Sequence, residues 1–181
     1  MNNNRAMIIA DHLAALPGRS GQAIIQAARV VWGNQHRSPE EAAYFHRSLT
    51  ASAAPLLPDL DAIRFADIDV EVNRLGRSLS GTAYYVTESA IVCLTFSAGT
   101  GTTPAHTVGS VESTAVIRRR ADIVQAELTR VDAPDFDDTE AQWTPENPVL
   151  TLTMRSGDTI ELRSTAGKEA EFIALCGDLL R

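Results

Sequence analysis

Lysine is almost missing from this chain: Lys168 stands alone against fifteen arginines, a bias that reflects a G+C-rich genome rather than a mechanism. Cysteine is nearly as scarce. Cys93 and Cys176 lie far apart in apolar stretches, without metal-ligand spacing. Free buried thiols in a reducing compartment are expected, and a disulfide framework is not. No apolar run approaches the ~18 residues of a membrane-spanning helix. The opening Met1-Asn-Asn-Asn-Arg5 has neither a long apolar run nor a small-residue cleavage site, so no signal peptide is expected and a cytoplasmic location is. Catalytic and metal-binding motifs are absent too. There is no Gly-x-Ser-x-Gly elbow and no His-Glu-x-x-His. Neither cysteine lies near any of His12, His36, His46 or His106 in sequence. No catalytic residue, metal or cofactor is expected.

What is present is ordinary globular material. The 181 residues are 44% hydrophobic and 22% charged, enough for one core or for one core with a smaller appendage. The net charge of −7 is unevenly placed. Residues 1–80 balance to zero, and residues 81–181 carry the whole excess of acid. Nucleic-acid affinity rests on neutralising phosphates, so this balance makes nucleic acid an unfavoured partner. It equally disfavours an anionic membrane surface.

Two regions differ in hydrophobic period. Over residues 1–57 the pattern predicts about three helices. The first is capped near Asn2–Asn4 and stopped by Pro17-Gly18. The second begins at Ser20 and ends at Gly33. The third opens on a capping box, Ser38-Pro39-Glu40-Glu41. Pro55-Leu-Leu-Pro58 reads as a boundary, which sets a helical segment at 1–57 apart from a β domain at 60–181. Thereafter the period is two. Asp67-Ile-Asp-Val-Glu-Val72 alternates acid and apolar residues as a half-buried strand does. Strands are predicted at 82–87 and 90–96 around a Glu88-Ser89 turn, at 114–119, at 124–131, and at 149–155 and 159–163 around Ser156-Gly157-Asp158. Residues 98–110 read as a Gly/Thr loop and 132–147 as a long acidic one. Phe172, Leu175, Cys176, Leu179 and Leu180 then form the apolar stripe of a C-terminal helix.

Four segments carry a family resemblance. They are Ala83-Tyr-Tyr-Val-Thr-Glu-Ser-Ala-Ile-Val92, Arg120-Ala-Asp-Ile-Val-Gln-Ala-Glu-Leu128, the hairpin Leu150 to Leu162, and Ala170-Glu-Phe-Ile-Ala-Leu175. In this order, residues 63–181 resemble the bacterial pleckstrin-homology-like domains. The resemblance implies an α+β chain: a helical N-terminal segment, then a partly open antiparallel barrel of about seven strands plugged by the C-terminal helix. It also implies a scaffold for recognition rather than for a particular chemistry.

Two sequence features are candidate interaction residues. Arg118, Arg119 and Arg120 form the basic cluster of an acidic domain, suited to an anionic headgroup or to pairing inside the protein. The acidic segment offers Asp135, Asp137 and Asp138 with the aromatic residues Phe136 and Trp143, suited to a basic partner or to packing on its own domain. It lacks the turn glycine and terminal glutamate of a calcium loop. The loop Ser97-Ala-Gly-Thr-Gly-Thr-Thr-Pro104 lacks the Gly-Lys-Ser/Thr and the following helix of a phosphate cradle. The expectation is a non-enzymatic protein–protein interaction module. Behind it stand a small-molecule or anion-binding domain and, third, an enzyme of unrecognised type.

Overall fold

Seven strands in two antiparallel sheets, followed by a helix, make up the described part of a computed structural model. The first sheet runs β1 (Phe65–Asn73), β2 (Ser78–Val86), β3 (Ala90–Thr100) and β4 (Val108–Arg119) in sequential order. The second runs β5 (Ile123–Thr129), β6 (Val149–Met154) and β7 (Thr159–Arg163). A single 3-10 turn, Arg120–Asp122, joins the sheets, and the helix α1 (Glu169–Leu179) follows β7. The structure describes residues 12, 13, 15–19, 56, 59, 61–73, 78–100, 108–129, 148–165 and 167–179. The three helices expected over 1–57 therefore fall almost wholly outside the described residues, as do Pro55, Leu57 and Pro58 of the expected boundary. Among the described residues β4 does not pair with β5, nor β1 with β7. The expected partly open barrel is present as two separate sheets.

Register explains which side chains meet. Phe65 pairs with Val86 and Val86 with Ile91, which sets three apolar side chains in a row on one face of the first sheet. That face packs on Leu150, Leu152, Met154, Ile160 and Leu162 of the second sheet and on Phe172, Cys176 and Leu179 of α1. The Phe65 and Phe172 rings lie 5.5 Å apart, tilted at 45°. The opposite face is buried as well, at Ala66, Ile68, Ala83, Tyr85, Val92, Leu94 and Phe96. A sheet covered on both sides cannot alternate. This accounts for the continuous run Ala90-Ile-Val-Cys-Leu94, and for Tyr85 being buried while Tyr84, on the other face, packs at the rim of the inter-sheet core.

Two local expectations are corrected. The Gly/Thr loop expected over 98–110 is strand at both its ends, because β3 continues to Thr100 and β4 begins at Val108, paired across a register irregularity near Ala98; residues 101–107 lie outside the described residues. On β3 its small residues Ala98 and Gly99 are held between β2 and β4, where a ladder overrides their loop-like composition. β2 likewise starts four residues before its expected limit. It carries Gly81 where a Cβ would sit 2.0 Å from the Asp69 carbonyl oxygen, so this close backbone approach requires glycine.

The strict alternation read in β1 also fails at one place. Asp69 and Glu71 face solvent as expected, but Asp67 is fully buried. Arg19 answers it. Its Nε donates to Oδ1 at 2.8 Å, its Nη2 to Oδ2 at 2.9 Å, and its backbone N–H to Oδ1 at 3.3 Å. The backbone N–H of Arg163, at the end of β7, donates to Oδ2 at 3.2 Å. Two-pronged pairing plus main-chain donors is the arrangement in which a carboxylate tolerates burial. Gly18 makes the approach possible, since a Cβ there would lie 2.1 Å from the Ala66 carbonyl oxygen. The Thr165 hydroxyl donates to the Gly18 carbonyl, and Lys168 Nζ donates to the Ala15 carbonyl at 2.7 Å. Residues 15–19 are thus tied to β1, to the end of β7 and to the segment leading into α1.

Two stability predictions follow from this packing. Phe172→Ala empties the centre of the inter-sheet core and should cost about 3–5 kcal/mol in denaturant unfolding; a loss under half a kilocalorie would make α1 peripheral. Arg19→Ala should cost about 3–5 kcal/mol by leaving the buried Asp67 carboxylate without its cation. The double change Arg19→Met, Asp67→Leu should recover much of that loss, and a double variant as unstable as Arg19→Ala would show that the ion pair is not the source.

Candidate interaction surface at the β4–β5 corner

The chain changes sheets at residues 118–123, and the arginine cluster is built into that corner. β4 ends at Arg119, so Arg120 lies in the 3-10 turn rather than beside Arg118 on a strand face. Arg120 is anchored twice to the β2–β3 turn: its backbone N–H donates to the Ser89 carbonyl at 2.9 Å and its Nη1 to the Glu88 carbonyl at 3.2 Å. That turn is closed by Thr87, whose N–H and hydroxyl both donate to the Ala90 carbonyl. The Glu88 carboxylate takes Arg64 at 2.8 Å. On the far side, the Arg155 N–H donates to the Asp122 carbonyl at 2.7 Å.

Arg118 pairs with Asp158 of the β6–β7 turn, and the Ser156 hydroxyl donates to the same carboxylate oxygen at 2.9 Å. Gly157, at φ +90°, supplies the left-handed residue which that turn needs. Arg119 is exposed and has no ion-pair partner among the described residues. The acidic segment, with Asp135, Phe136, Asp137, Asp138 and Trp143, lies outside the described residues. The structure therefore brings the three arginines together at one corner and gives two of them partners elsewhere in the fold.

The two strands that meet at this corner expose apolar side chains. Among the described residues, the large hydrophobics standing out to solvent are Val116 (40% exposed) and Ile117 (48%) on β4, with Val124 (57%) and Leu128 (38%) on β5. Both strands are sheet edges. Composition could not reveal this, because Ala115-Val-Ile117 reads like any central strand; only its place in the sheet order leaves it uncovered.

One register row crosses the first sheet from Asp67 through Tyr84 and Cys93 to Val116. Burial pushes the Tyr84 phenol up to about 12, helped by Cys93, Asp67, Asp69 and Glu161 nearby. Burial also raises the Cys93 thiol, against the opposing pull of the Arg118 charge and a hydrogen bond with Tyr84. Burial in the core pushes Cys176 up to about 11. For Arg19, burial works against the charge, but the hydrogen bond to Asp67 and the charges of Asp67, Asp69 and Tyr84 outweigh it, and the net direction is upward. The row is therefore protonated at neutral pH from Tyr84 to Cys93. Activated nucleophiles have lowered values, which is the opposite direction. Among the described residues no group of three or more His, Cys, Asp or Glu is placed to hold a metal ion. No helix among them is long and apolar enough to cross a membrane, which leaves strands unaddressed.

Comparison with protein-family models, with curated proteins and with solved structures gave no match. What the geometry defines is a mostly β protein of two antiparallel sheets with a C-terminal helix, compatible with a small sandwich or barrel-like fold.

The thiols supply a pH prediction. Both values lie above the ordinary 9.0, so the folded chain holds these protons longer than the unfolded one. Stability should then fall as pH rises through and beyond that ordinary value. At pH 8 the folded protein should be alkylated at Cys93 and Cys176 far more slowly than the denatured chain. Equal rates would contradict the burial described.

Proposed function

We propose that this chain is a non-enzymatic protein–protein interaction module on a pleckstrin-homology-like scaffold, with the β4–β5 corner as its contact surface. Seven antiparallel strands followed by a helix whose Phe172, Cys176 and Leu179 join the core is compatible with the order which that resemblance implies. The observation that carries the function is the placement of Val116, Ile117, Val124 and Leu128. Exposed apolar residues scattered singly mean little, whereas Ile117 at the end of β4 and Val124 at the start of β5 flank the corner where the chain changes sheets, and both stand on edge strands. Arg119 beside them adds a solvent-facing guanidinium, a group enriched in protein interfaces. The acidic segment with Asp135, Phe136, Asp137, Asp138 and Trp143 follows β5 in the chain and belongs to the same proposal. An anion or lipid-headgroup site at Arg118–Arg120 is the weaker reading, because Arg118 and Arg120 already hold Asp158 and the Glu88 carbonyl.

Val124→Asp with Ile117→Asp should leave the melting temperature nearly unchanged, since exposed substitutions shift stability by only about half a kilocalorie. The same pair should abolish retention of a host protein on the immobilised chain. Replacing Asp135, Asp137 and Asp138 by Asn in the otherwise unaltered chain should weaken retention of a basic partner. A rise in melting temperature with inorganic phosphate or anionic vesicles that Arg119→Ala removes, with no protein retained, would overturn the module in favour of an anion site.

A further inference from the structure

An edge strand presents a row of unpaired main-chain N–H and C=O groups, and most proteins blunt it with proline, lysine, a bulge or a cover. From Val111 to Arg119 β4 carries no proline, lysine or bulge, and among the described residues no strand covers it. It is 12 residues long, and among the described residues no strand pairs with its outer side. Its pairing with β3 is continuous from Val111 to Arg119, with no bulge in that stretch. Side chains of both parities are exposed along it: Glu112, Thr114 and Val116 on one face, Ser113, Ile117 and Arg119 on the other. β2 and β3, in contrast, bury side chains of both parities, among them Tyr85, Val86, Ile91 and Val92.

The sequence of β4 is complementary to itself. In an antiparallel pairing centred on Ala115, Thr114 stands opposite Val116, Ser113 opposite Ile117, and Glu112 opposite Arg118. Every pair joins residues on the same face, as a two-fold axis normal to the sheet demands. The Glu112–Arg118 pair occurs twice, once at each end. Opposite charges directly across a ladder stabilise it and fix its register. Moving the axis to Thr114 sets Glu112 against Val116, and moving it to Val116 sets Arg118 against Thr114. Only the Ala115 register satisfies both charges. An acidic or a basic strand from another protein would satisfy one end and oppose the other.

We propose that β4 is a self-association edge, through which two copies of this chain pair antiparallel about a two-fold axis at Ala115 and join their four-stranded sheets into one. The proposal rests on the interaction reading for its surface and names the occupant of one strand. Arg118 engages Asp158 through Nη2, which leaves the rest of its guanidinium for Glu112 of the second copy.

Sedimentation of the full chain over a range of concentrations should show a reversible monomer–dimer equilibrium. Glu112→Arg and Arg118→Glu should each give a monomer, because each sets like charges opposite at both ends. An equimolar mixture of the two variants should recover a dimer, since both cross-strand pairs become opposite in charge again. Arg118→Glu also disturbs the Asp158 contact, so a second measurement is independent of it. Ala115→Cys places two thiols across the axis within disulfide reach and should cross-link on mild oxidation, whereas Glu169→Cys on α1 should not. A monomer at every concentration with no Ala115→Cys cross-link overturns the proposal, as does a dimer indifferent to both charge variants. A monomer that still retains a host protein overturns self-association and leaves the interaction module standing; a dimer that retains nothing does the reverse.

Discussion

A carboxylate buried without compensation would cost more than a small fold can spare, and Asp67 is buried completely. Its neutralisation brings three distant parts of the chain to one point. Arg19 arrives from 48 residues upstream, and the Arg163 N–H from 96 residues downstream. Gly18 lets the incoming backbone touch β1, while Thr165 and Lys168 hold that backbone from the α1 side. The described N-terminal residues are thus part of the environment of the first sheet, and the open side between β1 and β7 is bridged by ionic and polar contacts instead of strand pairing.

The opposite side of the sheets is organised differently. There the chain turns directly from β4 into β5, and contacts are polar at the corner but sparse along the strands. Moving across the first sheet in the row from Asp67 to Val116, burial falls from complete to partial. Among the described residues one margin is tied by ionic contacts, and the other ends in edge strands without a pairing partner. The arginine cluster sits on the second margin, with two of its members restraining the corner and the third turned to water.

Sequence pattern made local elements legible wherever the period was clean and the partners were close. The β6–β7 hairpin is readable from Leu150, Leu152 and Met154 opposite Ile160 and Leu162, with Gly157 at the turn. α1 is readable from the spacing of Phe172, Cys176 and Leu179. The seven strands were legible for the same reason. Residues 98–100 and 108–110 were not, because small residues that signal a loop in isolation are held in a ladder by their neighbours. Asp67 was misread because alternation describes one strand, and what makes its burial tolerable stands far off at Arg19. The location of Arg118–Arg120 was legible, but their partners Asp158 and the Glu88 carbonyl were not, because both depend on how the hairpin turns converge. The exposure of Val116, Ile117, Val124 and Leu128 is a property of sheet order, which no local window contains.

The contacts around Asp67 also set an order of events during synthesis. A ribosome delivers Arg19 and Asp67 early, but the Arg163 N–H, Thr165 and Lys168 emerge only near the end, after the strands of the first sheet. Until then the nascent chain carries a carboxylate whose shell is incomplete beside a sheet whose inner face awaits β5 to β7 and α1. Contacts spanning 147 and 153 residues raise the mean sequence separation of the fold, a property that goes with slow folding. The first sheet must therefore remain open, or be guarded by other factors, for most of translation, and a chain truncated before α1 would be a substrate for quality control rather than a smaller version of the same protein.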